Sequence, residues 1–360
     1  MKSKAGFTCR VLCILAFAVL AGTQPVEATE PPTKIRFGNT AGIAFPTIII
    51  AEEKGLLKKE NLELETVSVA GSGAIAEALA SNNIDIGNAA PTTAILAMAK
   101  GAKMKLVSAF EYTFVDKSGH QWEATLVAVR QGEGIKTLKD LRGKRIAVND
   151  IGSIYTYMLR DQFKQLGMDP KKDLVLVPIP FNQMAGALIQ KQVDAAVAIS
   201  DAIYQMRERI PVDIIGSHTS LEGSDISLTS TIGVSAELLS KKPEVVVRFL
   251  RALLQARQWM SKAVADNNPE LLEIVARTMK YSPERAKIFW ESRGGYYGKE
   301  TPFVNSLDFP ERLVKRQVEI LESAELLPAS KSYAYADFVD ISYLRKAYDS
   351  LGMTWDAAKH

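Results

Sequence analysis

Cysteine is almost missing from this chain. Of its 360 residues only Cys9 and Cys13 carry a thiol, and both lie near the N-terminus. Residues 1–28 are expected to form a cleaved secretory signal. Lys2, Lys4 and Arg10 make a basic start, residues 11–21 an apolar core, and Val26-Glu27-Ala28 offers short side chains at the positions a signal peptidase reads. What remains after Ala28 has no thiol, which excludes disulfides, thiolate metal sites and cysteine catalysis there. Histidine is nearly as scarce: His120, His218 and His360 stand at no metal-ligand spacing, so no metal site and no zinc hydrolase are expected. There is no Gly-x-Ser-x-Gly elbow, phosphate-binding loop or dinucleotide fingerprint, and nothing in the chain requires an enzyme or a cofactor. A second apolar run long enough to span a bilayer is absent as well. Charge of one sign is also lacking. Lysine and arginine number 44 against 41 aspartate and glutamate, a net +3. Removing Lys2, Lys4, Arg10 and Glu27 leaves the remainder near +1, no footprint for nucleic acid or an anionic membrane.

What is present is an alternation of strand and helix periods. Residues 62–69 alternate apolar and polar, the period of a strand with one exposed face. Strands are also expected over 34–38, 84–87 and 105–110, with helices over 46–53, 74–81 and 92–100 between them. The rhythm restarts with a helical turn at 138–141, strands at 145–148, 174–177, 194–199 and 212–216, and helices at 155–166 and 184–191. This pattern gives an α/β fold with largely parallel sheets. Two similar lobes are expected, 34–127 with 231–360 and 128–230, joined by two chain crossings near 125–129 and 230–234. From Pro243 the chain reads as helix, over 243–265, 269–278, 282–292, 310–325 and 341–350, a tail expected to pad the first lobe.

Open α/β sheets bind ligands beyond the carboxyl ends of their strands, where helix starts offer free N–H groups and a positive dipole end. Three such turns stand out: Ala70-Gly71-Ser72-Gly73, residues 87–93 with Thr92 near a helix start, and Asp150-Ile151-Gly152-Ser153-Ile154-Tyr155. A plain helix cap is the alternative reading of such a turn. Gly152-Ser153 mirrors Gly71-Ser72 as a matched start in the second lobe. Aromatic residues cluster in the same loops, Phe45, Phe110, Tyr112, Tyr155, Tyr157, Phe181 and Tyr204, either as core or as a platform for a flat solute. Glu111, Asp150 and Asp201 are the acidic candidates near strand ends. Residues 111–122 form a long connection that could close over the cleft as a lip.

The order of several short motifs carries a resemblance. Phe45-Pro46 precedes Ala51-Glu52-Glu53-Lys54-Gly55-Leu56-Leu57-Lys58-Lys59-Glu60-Asn61-Leu62. Gly71-Ser72-Gly73, Asp85-Ile86-Gly87-Asn88, residues 138–148 and Gln192-Val193-Asp194-Ala195-Ala196-Val197 follow. From Lys34 onward the chain resembles the solute-binding proteins of nitrate, sulfonate and taurine importers of the ABC type, whose domain is shared with thiamine-pyrimidine synthesis proteins. The resemblance implies a type II periplasmic-binding fold, two α/β lobes joined by a two-strand hinge and closing on a solute. It implies a periplasmic, monomeric receptor that hands a small molecule to an ABC permease of the inner membrane, with no covalent chemistry. Carried over by position, it places the solute between Phe45, Ser72, Gly73, Thr92 and Phe110 on one side and Gly152, Ser153, Tyr155, Phe181, Asn182 and Asp201 on the other. No arginine stands in these loops, so helix starts would hold a sulfonate or an aromatic carboxylate, the first expectation. A thiamine-precursor pyrimidine or other heteroaromatic is the alternative solute. An enzyme on the same scaffold is the alternative of another class, and delivery to a membrane sensor kinase is a third.

Overall fold

The computed structural model describes residues 31–40, 44–115, 121–122, 125–222, 226–293, 307–328 and 330–354. The expected signal segment and its two cysteines lie outside them.

The chain opens with β1 (Thr33–Thr40), α1 (Pro46–Glu53), α2 (Leu56–Lys59), β2 (Leu62–Val69), α3 (Ser72–Ala80), β3 (Ile86–Ala89) and α4 (Pro91–Ala99). Then come β4 (Met104–Val115), β5 (Gln121–Trp122), β6 (Thr125–Arg130), β7 (Arg145–Val148), α5 (Ile154–Gln165), β8 (Val175–Pro178) and α6 (Phe181–Ile189). β9 (Ala195–Ile199), α7 (Ser200–Arg207), β10 (Val212–Ser217), α8 (His218–Glu222), β11 (Ile226–Ser235) and α9 (Ala236–Lys241) complete the sheets. The tail is α10 (Pro243–Ala265), α11 (Glu270–Met279), α12 (Pro283–Arg293), α13 (Glu311–Ser323), α14 (Tyr335–Phe338) and α15 (Ser342–Ser350).

Two sheets form, one ordered β2-β1-β3-β11-β4-β5 and the other β10-β6-β9-β7-β8. They are mixed rather than largely parallel. β2-β1-β3 and β9-β7-β8 run parallel, as the strand–helix rhythm requires. β11 lies antiparallel between β3 and β4, and β6 antiparallel between β10 and β9. The chain enters the second sheet at β6 and returns to the first at β11, the two segments expected to carry the crossings.

The same side-chain device locks β1 to β3 in one sheet and β7 to β9 in the other. Asp85 Oδ2 accepts from the Arg36 backbone N–H at 2.9 Å and from Nε at 3.1 Å, while Oδ1 accepts from Nη2 at 2.6 Å. In the second sheet Asp194 accepts from the Arg145 backbone N–H at 2.8 Å and from its guanidinium at 3.2 and 3.4 Å. Each pair is 49 residues apart. The aspartate N–H returns a bond to the arginine carbonyl in both, at 2.9 and 2.8 Å. The backbone N–H and C=O at each strand start are thereby paired, as a sheet start requires. β2-β1-β3 and β8-β7-β9 thus repeat one arrangement of three parallel strands with the same ion pair.

The tail does more than pad the first half. α10 buries Val246, Phe249, Leu250, Leu253 and Leu254 against α1 and α15, a helical stripe on which each large side chain contributes about 1.5–3 kcal/mol. α13 packs on both α4 and α5, so one apolar cluster runs from Ile75 and Ile95 through Leu313 and Val314 to Ile146, Val148 and Phe163. Of the expected lip at 111–122, residues 121–122 pair with the end of β4 at the edge of the first sheet, Phe114 opposite Trp122, and 116–120 lie outside the described residues.

Burial raises the Asp194 pKa, but the Arg145 side-chain and backbone bonds outweigh it and hold the carboxyl below its ordinary value of 3.8. A depressed folded-state value stabilises the fold fully above the unfolded value and loses that stabilisation as pH falls through the folded one. Asp194→Asn is therefore expected to cost about 1–2 kcal/mol near pH 7, the lower part of the range because Arg145 is half-exposed. Urea midpoints of the two proteins should converge as pH drops below about 3.8. A gap that persists there would place the effect on packing rather than on charge.

Candidate functional site

Where the carboxyl ends of the strands of both halves meet, a small cavity of about 50 Å³ opens. Its lining is set by the repeat. Thr40 and Asn149 follow the two arginines at the same spacing, at the ends of β1 and just past β7, and both line it. Phe45 and Ile154 correspond in the same way, at the starts of α1 and α5, and so do Ser72 and Phe181, at the starts of α3 and α6. Asn88 and Ala90 come from the end of β3, and Ser153 and Tyr155 from the start of α5. β4 and the crossing strands β6 and β11 add Glu111, Thr125, Thr229 and Ser230.

Five of the eleven residues expected at the site line this cavity: Phe45, Ser72, Ser153, Tyr155 and Phe181. The others do not, each for a physical reason. Phe110 is fully buried behind Phe45, ring centres 4.9 Å apart. Thr92 is fully buried and donates to Gln317 Oε1 of α13 at 3.2 Å, so it fastens the tail. Asn182 points to solvent from α6. Asp201 forms a forked ion pair with Arg285 of α12 at 2.7 and 2.9 Å, and Arg285 stacks on Tyr281 at 4.1 Å. Gly73 and Gly152 sit at the rim, where the halves touch.

That rim contact changes the reading of the helix starts. Thr93 Oγ1 on α4 donates across the cleft to the Gly152 carbonyl at 2.9 Å. Asp150 faces the start of α3: a Cβ on Gly71 or Gly73 would come within 3.2 or 3.0 Å of its Oδ2. The glycines are needed for this close approach. The positive end of α3 thus faces a carboxylate of the chain itself. Burial and then the Asp150 charge push the Tyr157 phenol above its ordinary value. Gly152 N–H donates to Asp150 Oδ1 at 2.9 Å.

The two serines are both occupied by structure. Ser72 Oγ accepts from the Ala90 N–H at 3.0 Å, tying α3 to the β3–α4 turn. Ser153 is the N-cap of α5, accepting from the Thr156 N–H at 3.4 Å. Tyr155 is held on three sides. Its hydroxyl shares a 2.9 Å bond with Thr125, and its ring meets Phe181 and His218 edge-on at 6.3 and 5.5 Å. Behind it His218 and Glu222 are fully buried, with Nε2 and Oε2 3.6 Å apart. Glu222 also accepts from Ser227 and from Gln317.

Glu111 was an acidic candidate at a strand end and does face the cavity. Asn88, Ala90 and Ile154 belong to the turns expected to carry ligand, whereas Thr40, Thr125, Asn149, Thr229 and Ser230 were not expected there. The signal that could have found two of these is the Arg/Asp repeat, which aligns Thr40 with Asn149. A larger groove of about 570 Å³ lies between α5 and the end of α13, but Lys164 and Lys171 there already share Glu325. Among the described residues no three His, Cys, Asp or Glu side chains group as a metal site, and no helix is long and apolar enough to cross a membrane.

With this geometry in hand, comparison with known proteins is decisive for the family: residues 43–265 match the NMT1/THI5-like family model. The chain belongs to the NMT1/THI5-like family. It is 24% identical over 299 residues to YtlA of Bacillus subtilis strain 168, a candidate binding protein, covering 78% of this chain and 86% of the relative. In structure it is similar to the alkanesulfonate-binding protein SsuA of Xanthomonas axonopodis pv. citri bound to MOPS. The TM-score is 0.65 at 18% identity, over 86% of this chain and 98% of that one. It is likewise similar to the periplasmic nitrate-binding protein NrtA of Synechocystis PCC 6803, TM-score 0.66 at 16% identity, over 89% of each chain. The fold of this NMT1/THI5-like chain is that of the periplasmic binding proteins.

Ser153→Ala should lower stability by about 1 kcal/mol, the cost of an N-cap, with no solute present. A thermal melt of the variant reads this directly. An unchanged melt would mean that the 3.4 Å cap bond adds nothing measurable to the helix.

Proposed function

We propose that this chain is the solute-binding component of an ABC-type importer, exported to the periplasm, which captures a small organic solute between two lobes and delivers it to a membrane permease. The observation that carries the reading is the cavity where the two repeated halves meet, lined at corresponding positions of each. Residues 34–127 with 231–360 act as one lobe and 128–230 as the other, moving about β6 and β11. Closure makes the cross-cleft contacts Thr93–Gly152 and Asp150–Gly71/Gly73. Relatives named as binding proteins support capture over catalysis. The protein works as a monomer and forms no covalent intermediate.

Two solute classes were expected. An organic anion, sulfonate or aromatic carboxylate, would use the helix starts. A planar heteroaromatic would use the rings of Phe45, Tyr155 and Phe181. The lining favours the second, because among its described residues there is no lysine, arginine or histidine.

A thermal-shift screen of unloaded protein against alkanesulfonates, aromatic sulfonates, aromatic carboxylates, nitrate and pyrimidines tests the receptor reading. A solute at about a hundred times its dissociation constant should stabilise by roughly 2.7 kcal/mol. The shift should vanish in Phe181→Ala. Shifts that survive this substitution would locate binding outside the cleft and overturn the reading.

A further inference from the structure

We propose that Phe45 is a gate that sets the size of solute the cleft accepts. Its ring leaves the cleft for a second pocket beside α1, and a group of the solute about as large as a six-membered ring takes its place. This rests on the receptor reading above and concerns the same cleft.

Volume is the starting point. The cleft cavity measures about 50 Å³, room for one or two waters. A benzene ring needs about 150 Å³ of apolar space, and most small-molecule sites are larger, roughly 300 Å³ or more. Among the solute classes considered, only an ion as small as nitrate fits the cavity as it stands. A second pocket of about 150 Å³ lies beside it, and Phe45 lines both. Phe37, Ala44, Ile48 and Ile49 give that pocket an apolar wall. Thr66 of β2 also lines it, opposite Phe37 in the pairing of β1 with β2. The side pocket therefore matches a phenyl ring in volume and offers it apolar contact.

The position of Phe45 in the chain permits the move. It is the N-cap of α1, in extended backbone at φ −115° and ψ 119°, so no preceding helical turn restricts its χ1 angle. The other two rings of the lining are held. Tyr155 is tied through its hydroxyl to Thr125, and Phe181 is 1% exposed and packed in the core of the second sheet. On moving, Phe45 exchanges its contact with Phe110, 4.9 Å between ring centres, for the wall of the side pocket. The space it leaves adds a ring's volume to the cavity.

Isothermal titration of the exported protein, refolded free of solute, compares pyrimidine, benzoate, benzenesulfonate and butanesulfonate with the much smaller nitrate. It is run on the natural sequence, on Thr66→Trp, on Phe45→Ala and on the double variant. Thr66 is exposed on the edge strand β2 and is not among the residues lining the cleft, so a tryptophan there fills the side pocket alone. Thr66→Trp should weaken the large probe that binds by about tenfold or more, the scale of an overpacked site, and leave nitrate unchanged. That loss should disappear in the Phe45→Ala background, where no ring has to be housed. Ile48→Phe fills the same pocket from α1 and serves if Thr66→Trp does not fold. Large probes that bind equally with the side pocket filled would show that lobe motion alone makes the room. That result, a loss that persists in Phe45→Ala, or binding of nitrate alone would overturn the gate and leave the receptor reading intact. Silence from all five probes together with every compound of the thermal screen would overturn both.

Discussion

Everything in this fold follows from a paired arginine and aspartate used twice. Arg36 with Asp85, and Arg145 with Asp194, join strands that are neighbours in the sheet but 49 residues apart in the chain. The backbone N–H of the arginine belongs to the same network as its guanidinium, so the pair fixes register as well as adjacency. With register fixed, the carboxyl ends of β1 and β3 fall level, as do those of β7 and β9. The residues just past them face each other across the cleft. A slip of one residue in either half would turn Thr40 or Asn149 away from the cavity and would bury the wrong face of the strand.

Much of the architecture was legible because period and punctuation agree with it. The alternation over 62–69 becomes β2 with its exposed and covered faces, and the stripe of α10 runs the full 243–265. The site was less legible. A Gly-Ser match suggested that Ser72 and Ser153 are counterparts, but the Arg/Asp repeat makes Phe181 the counterpart of Ser72 and Phe45 that of Ile154. Short turn motifs recur by chance and for capping, whereas the spacing of an ion pair that joins two neighbouring strands is tied to the strand and helix lengths between its members. The crossing strands were legible as strands, yet nothing local marks Glu111, Thr229 and Ser230 as meeting. They come together only through the antiparallel pairing of β11 with β4.

Helix starts deserve the same caution as turn motifs. A free helix N-terminus attracts an anion, but it does not say whose anion. Here α3 faces Asp150, so its dipole is met by a carboxylate of the chain itself. α13 works in the same direction, since it packs on α4 and α5 together and joins the apolar cores of both halves. The two sheets are thus joined by contacts the chain makes with itself.

What those contacts leave unsatisfied is the cavity. A buried acceptor with no partner costs about 1–3 kcal/mol, and Asn88 and Asn149, each with such an Oδ1, both line a space of about 50 Å³. That space has room for one or two waters. A solute that satisfies several polar groups of the lining at once offsets part of the cost of burying them. On the proposed closure, selectivity and closure are one equilibrium: a ligand shifts it only by the difference in its affinity for the two states. The polar groups of the lining would supply that difference, and the apolar surface of Phe45 and Phe181 would add affinity.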